Sequence, residues 1–200
     1  MKSNYIILFV FLICSFSFSQ EKDDLFNMIE QEDDQIELLP EKMIFTQSLL
    51  WGKKGLFRKT GISPLNLENR QKELKLRKTM LTTHQAIGYL TLASMIAQGI
   101  IGGKLYNGQD DLYETHKTMG KIVNIGYFTG AGLSLFSPPP LINKKVKGFN
   151  SIKAHKILAT VHFSAMIATN YYKDKNKSNH KAAAYTAFAS YATAVLVIKF

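Results

Sequence analysis

From about residue 79 to its end the chain alternates four long apolar stretches with short polar breaks. The stretches cover roughly residues 79–102, 114–136, 152–172 and 180–199. The breaks carry turn chemistry: Gly102-Gly103 then Tyr106-Asn107-Gly108, next Pro138-Pro139-Pro140, and last Lys175-Asn176-Lys177-Ser178-Asn179. At about 1.5 Å rise per residue, each stretch read as a helix covers roughly 30 Å, the thickness of a bilayer's hydrocarbon core. Connections this short make neighbouring helices antiparallel. The pattern therefore predicts an all-α fold, an integral membrane antiparallel four-helix bundle over residues 79–200.

The N-terminal portion reads differently. MKSNYIILFVFLICSFSFSQ has one lysine, an apolar run and Ser17-Phe18-Ser19 as a small-x-small cleavage site, which predicts a signal peptide over residues 1–19. Ile13 precedes Cys14 where a lipoprotein anchor needs a small residue, so a cleaved signal is preferred to an anchor. Cleavage would remove the chain's one cysteine and with it thiol catalysis, disulfides and c-type haem attachment. Residues 20–78 are then an exported segment, too small to carry a catalytic domain unaided. Its first half is acidic, and its second half carries Lys53, Lys54, Arg58, Lys59, Arg70, Lys72, Lys75, Arg77 and Lys78. Ile44, Phe45, Leu49, Leu50, Trp51, Leu56 and Phe57 lie among these charges. Two readings stay open: an interfacial segment with Trp51 at headgroup level, or a cap packed on the bundle. Residues 65–78, LNLENRQKELKLRK, have charges at helical spacing and lead into the first span.

Hydrophobic residues are 46% of the chain and charged ones 20%, an ordinary average until their segregation into spans and loops is seen. The net charge of +10 is then loop lysine at membrane surfaces, which argues against nucleic acid as a partner and for membrane lipid.

Candidate chemistry enters with the histidines. Each apolar stretch opens on one: HQAIG at His84, HKTMG at His116, HKILA at His155 and HKAAA at His180. In an up-down-up-down bundle His84 and His155 share one end, and His116 and His180 the other. Each pair sits on diagonally opposed helices. Four positions on, one turn deeper on the same face, stand Gly88, Gly120, Ala159 and Ala184. A flat macrocycle clamped between helices needs both features, two imidazoles on opposite sides of its iron and small residues beside its ring edge. The expected iron ligands are His84, His155, His116 and His180, with His162 an alternative to His155. Lys117, Lys156 and Lys181, each next to such a histidine, either reach haem propionates or snorkel to the interface.

One histidine on each of four consecutive spans, paired first to third and second to fourth in HxxxG-like sequences, resembles the cytochrome b561 family and, more loosely, ferric-reductase-like membrane cytochromes. The resemblance covers roughly residues 79–200. It implies two b-type haems, one near each membrane face, His84 with His155 on one and His116 with His180 on the other, and transmembrane electron transfer. The last two motifs depart from the pattern, with Ala in place of Gly, and the family's substrate-contact motifs have no match, so ascorbate chemistry is not carried over. Donor and acceptor are unassigned, and a homodimer or a redox partner protein is compatible with the pattern.

Orientation signals conflict. Export of residues 20–78 puts them and the His84/His155 face outside, in the periplasm if the membrane is a bacterial inner membrane. The basic run together with Lys144, Lys145 and Lys147 argues the reverse by the positive-inside rule. Export fixes the first span before later loops act, and the signal peptide is followed here. Two rival functions remain. A cofactor-free four-helix subunit explains Gly88, Gly99, Gly120, Gly126 and Gly130 as close-packing positions. A metal or proton-coupled transporter would use His155 and His162. Hydrolytic catalysis has no nucleophile, base and carboxylate in one motif.

Overall fold

Helix starts are written into the sequence as asparagines. Asn66, Asn150 and Asn176 each accept the backbone N–H three residues on through their side-chain oxygen, at 2.9 Å in every case, supplying a partner that the first helical turn lacks. In a computed structural model, which describes residues 37–141 and 150–197, these caps open three of the four long helices. The elements are α1 (Phe45–Trp51), α2 (Leu56–Lys59), α3 (Leu67–Tyr106), a 3-10 turn (Asp110–Leu112), α4 (Tyr113–Leu135), α5 (Ser151–Tyr172) and α6 (Lys177–Val197). The described residues are all-α, as the hydrophobic pattern predicts, and the described parts of the four expected stretches correspond to α3 to α6 to within a residue at their ends. They belong to one compact unit, Leu38–Ile198. The expected signal peptide, the acidic stretch to residue 36, Lys144, Lys145, Lys147 and the last three residues lie outside the described residues.

α3 is 40 residues long. The charged stretch before the first span is therefore a continuous part of that helix, and His84 lies deep within it, where its apolar portion begins. By length and composition α3 is the one described helix apolar enough to cross a membrane. α4, α5 and α6 are 23, 22 and 21 residues long.

The four long helices run antiparallel in two hairpins. α3 packs along α4 and α5 along α6, and α3 touches α6 to join them. Between α4 and α5 the links are side chains: Asn170 Nδ2 donates to Asn124 Oδ1 at 2.7 Å, and Tyr127 Oη pairs with His162 Nδ1 at 2.5 Å. The central core is Met95, Val123, Tyr127, Ala165, Met166 and Ala187, with Phe188 and Tyr191 against it. The outer faces are apolar as well: Leu90 and Ile125 are each 70% exposed and Leu196 78%.

A cap built from residues 38–66 closes one end, and its polar groups are buried. Arg70 and Glu73 on α3 are 1% and 3% exposed. Glu73 accepts from Arg58, Ser63 and Arg70. Arg70 also donates Nε–H to Leu38 O at 2.7 Å and Nη2–H to Pro139 O at 3.1 Å, and Arg77 donates to Pro138 O at 2.7 Å. Burial works to raise the Glu73 pKa, but the hydrogen bonds from Arg58, Ser63 and Arg70 outweigh it and hold the carboxyl below the usual range. Trp51 is buried, edge-on to Phe57, with Nε1–H donated to Phe136 O at 3.0 Å. Of the two readings of Trp51, the structure shows the packed cap, because the indole donor has found a carbonyl at the end of α4 and has no need of headgroup or water.

Candidate histidine pairs at the two ends of the bundle

Three of the four motif histidines are held the same way. His84 Nδ1 lies 2.8 Å from Gly130 O, His155 Nδ1 3.0 Å from Ala194 O and His180 Nδ1 2.9 Å from Thr169 O. A carbonyl cannot donate, so Nδ1 carries the hydrogen in each bond and Nε2 of the neutral ring keeps its lone pair. Each bond runs to the hairpin neighbour, α3 to α4 or between α5 and α6. Antiparallel packing thus orients every ring from a helix that it does not belong to.

His116 departs from the pattern. Its Nε2 lies 3.3 Å from Gln98 Nε2, while its Nδ1 and Gln98 Oε1 are both buried without a hydrogen-bond partner. An orphaned donor beside an orphaned acceptor, each costing on the order of 1–3 kcal/mol, marks the least satisfied polar spot of the bundle interior. Gly102 is the reason the ring fits there: a Cβ on residue 102 would stand 2.8 Å from His116 Cε1.

His116 and His180 face each other at one end of the bundle. The rings of His116 and His180 have centroids 6.2 Å apart. His84 and His155 lie within electrostatic reach of each other, as does His162 of both. His84 to Gln98, and equally His155 to Thr169, is fourteen helical residues, so the two levels are about 21 Å apart along the bundle. Two imidazoles bonded at about 2 Å to opposite sides of one metal have centroids roughly 6 Å apart, the separation found for His116 and His180. The three carbonyl-held rings, His84, His155 and His180, each keep an Nε2 lone pair free to ligate, whereas Nε2 of His116 is engaged by Gln98 and would have to leave it to do so. Among the described residues no three His, Cys, Asp or Glu side chains converge into a metal-binding group.

His162 is placed apart from the repeat. It belongs to a central layer with Tyr127 and Tyr191, its ring 5.1 Å from that of Tyr191 and its Nδ1 taken by Tyr127. The small residues one turn after the histidines divide into two kinds. Gly88 faces Tyr191, whose Oη donates to Gly88 O at 3.2 Å, and Gly120 faces Gln98 Nε2, 3.2 Å from where a Cβ would be. Ala159 and Ala184 are half-buried. Two of the adjacent lysines rest on aromatic rings, Lys181 3.8 Å above Tyr106 and Lys117 5.8 Å from Tyr113.

The sequence reading missed Gln98, Gly102 and the carbonyl partners Gly130, Ala194 and Thr169. Gln98 and Gly102 could have been found, since they sit at i,i+4 near the end of the first span, the level that a helix starting at His116 must meet. Main-chain partners carry no residue signature. No protein-family model, no curated protein and no solved structure matches the chain.

Proposed function

We propose that the protein is a membrane electron carrier whose four-helix bundle spans the bilayer and holds two b-type haems, His84 with His155 at one level and His116 with His180 at the other. The observation that carries the reading is the shared anchoring of His84, His155 and His180, which fixes the tautomer and leaves Nε2 as ligand, the arrangement that a second-sphere hydrogen bond gives to a metal-bound imidazole. Haem, when bound, supplies a one-electron iron couple. The chain's own residues set ligand orientation, depth and polarity: the carbonyls orient the rings, and the helix length separates the levels by about 21 Å. Tyr127, His162 and Tyr191 fill the layer between.

A bilayer as solvent is supported by the apolar outer faces, since Leu90, Ile125 and Leu196 left in water would each forgo about 1.5–3 kcal/mol of transfer free energy. It is also supported by the end that carries His116 and His180. There Tyr106, Tyr113 and Tyr171 are all exposed and each lies beneath a lysine, in the manner of an interfacial aromatic belt.

The test is an oxidised-minus-reduced visible spectrum of the detergent-purified protein with a pyridine haemochrome count. Two haems b per chain are expected, falling to one in His116→Ala and in His84→Ala. No haem after expression with ample supply overturns the reading. It would favour a cofactor-free subunit, for which the specific observation is that Gly88 and Gly120 admit side chains of the bundle itself.

A further inference from the structure

The cap turns its polar network inward and leaves apolar groups outside. On α1 the pair Gln47 and Trp51, four apart, is buried, while Phe45 and Leu49, also four apart, are 78% and 54% exposed. Leu56 on α2 and Ile62 in the following turn are 51% and 70% exposed. Exposed lysines adjoin these positions along the chain, Lys53 and Lys54 following α1 and Lys59 ending α2, and Lys75 and Lys78 are exposed on α3. Within residues 38–78 the exposed acids are Glu41 and Glu68, and Glu68 is engaged by Lys72 at 2.6 Å. Large apolar groups interleaved with cations are poorly suited to water and well suited to the boundary of an anionic lipid leaflet.

The height of the cap agrees. Thr46 Oγ1 donates to Leu135 O at 2.5 Å, and Trp51 to Phe136 O, so α1 lies against the last turn of α4. Leu135 is five residues from Gly130, which takes the His84 hydrogen bond, a rise of about 8 Å. Phe45 precedes Thr46 in the chain, and Leu135 and Phe136 are themselves 39% and 46% exposed, so exposed apolar groups of α1 and of the end of α4 lie at one height of the bundle, beyond Ile125 and Phe128 on the same helix.

Resting on the membrane reading above, we infer that the Phe45–Leu49 edge of the cap is seated in the leaflet next to the bundle, with Lys53, Lys54 and Lys59 on the headgroups of anionic phospholipid. The cap is thus a lipid-reading collar as well as a plug. Charge complementarity and continuity with the exposed face of α4 select lipid over a second copy of the chain, whose like-charged cap would repel it.

Trp51, the chain's one tryptophan, is buried and provides a fixed background against which an added tryptophan can be read. The experiment places Phe45→Trp and, as reference, Ile125→Trp in nanodiscs containing brominated phosphatidylcholine, with and without phosphatidylglycerol. Expected is a loss of the added emission in Phe45→Trp comparable to that in Ile125→Trp, larger with phosphatidylglycerol. That difference should disappear when Lys53, Lys54 and Lys59 are changed together to Gln. If Ile125→Trp is quenched and Phe45→Trp is not, the edge is out of the lipid and the inference is overturned. Quenching of Phe45→Trp only after removal of residues 20–36 also overturns it, by showing that the acidic N-terminal stretch covers the edge. Failure of Ile125→Trp itself removes the bilayer reading and this inference together.

Discussion

Replacing Glu73 by alanine is the sharpest perturbation of the cap. The carboxylate takes hydrogen bonds from two nitrogens of Arg58, from Ser63 and from Arg70, and the side chains of Arg58, Glu73 and Arg70 are 6%, 3% and 1% exposed. Without it two guanidinium groups face each other in a water-poor pocket. Leaving a buried charge uncompensated costs about 3–5 kcal/mol, against well under 1 kcal/mol for a solvent-screened surface pair. Glu73→Gln keeps the acceptor and loses the charge, and should cost about 1.5–3 kcal/mol, the range of charge-assisted bonds. The damage should fall on docking of the cap before it reaches the helices, because Arg58 and Ser63 belong to the cap while Arg70 and Glu73 belong to α3. Urea titration in detergent micelles separates the two, with Trp51 emission reporting the cap and far-UV circular dichroism the helices. A shift of the Trp51 transition below about 1 kcal/mol for Glu73→Ala would refute the claim that this network holds the cap in place.

Further outcomes follow from the same geometry. The Glu73 pKa is depressed on folding, so its contribution is complete above the unfolded value near 4.5 and is lost as pH falls through the lower folded value; an acid titration of Trp51 emission should show the cap loosening below pH 4.5, and a flat profile there would contradict it. A Cβ on residue 126 would stand 2.6 Å from the Oγ1 of Thr91, itself 3% exposed, so Gly126→Ala should destabilise the bundle by about 1–3 kcal/mol, largely relieved by Thr91→Ala in a double-mutant cycle. Gly102→Ala pushes on the His116 ring, so on the proposed haem reading the pyridine haemochrome count should fall by one haem per chain, the His84/His155 level being retained.

The helices were legible because their signals are local. Apolar runs and breakers placed α4, α5 and α6 to within a few residues, and the order of the spans was enough to bring His116 near His180. What was not legible depends on distant chain. The charges of residues 65–78 look like a solvated helix face, yet Arg70 and Arg77 are drawn inward because carbonyls of Pro139 and Pro138, more than sixty residues away, come to meet them, and Glu73 is drawn in by Arg58, Ser63 and Arg70. The small residues after the histidines were readable as small, but the side chains that two of them admit come from other helices, Gln98 from the hairpin partner of Gly120 and Tyr191 from α6 of the other hairpin. His162 was set apart by its register, and the structure gives it a different neighbour, Tyr127.

The two-hairpin arrangement has a consequence for biogenesis. α3–α4 contributes His84 and His116, and α5–α6 contributes His155 and His180, so neither hairpin alone owns a complete pair. Contacts along each hairpin are close in sequence and form early, and each hairpin can orient its own rings, His84, His155 and His180 through carbonyls and His116 through Gln98, before meeting the other. Joining them is then the step at which both levels are created at once. On the proposed haem reading, a ligand that bridges the imidazoles could be taken up only after both hairpins have met, so its uptake would report a correctly assembled chain.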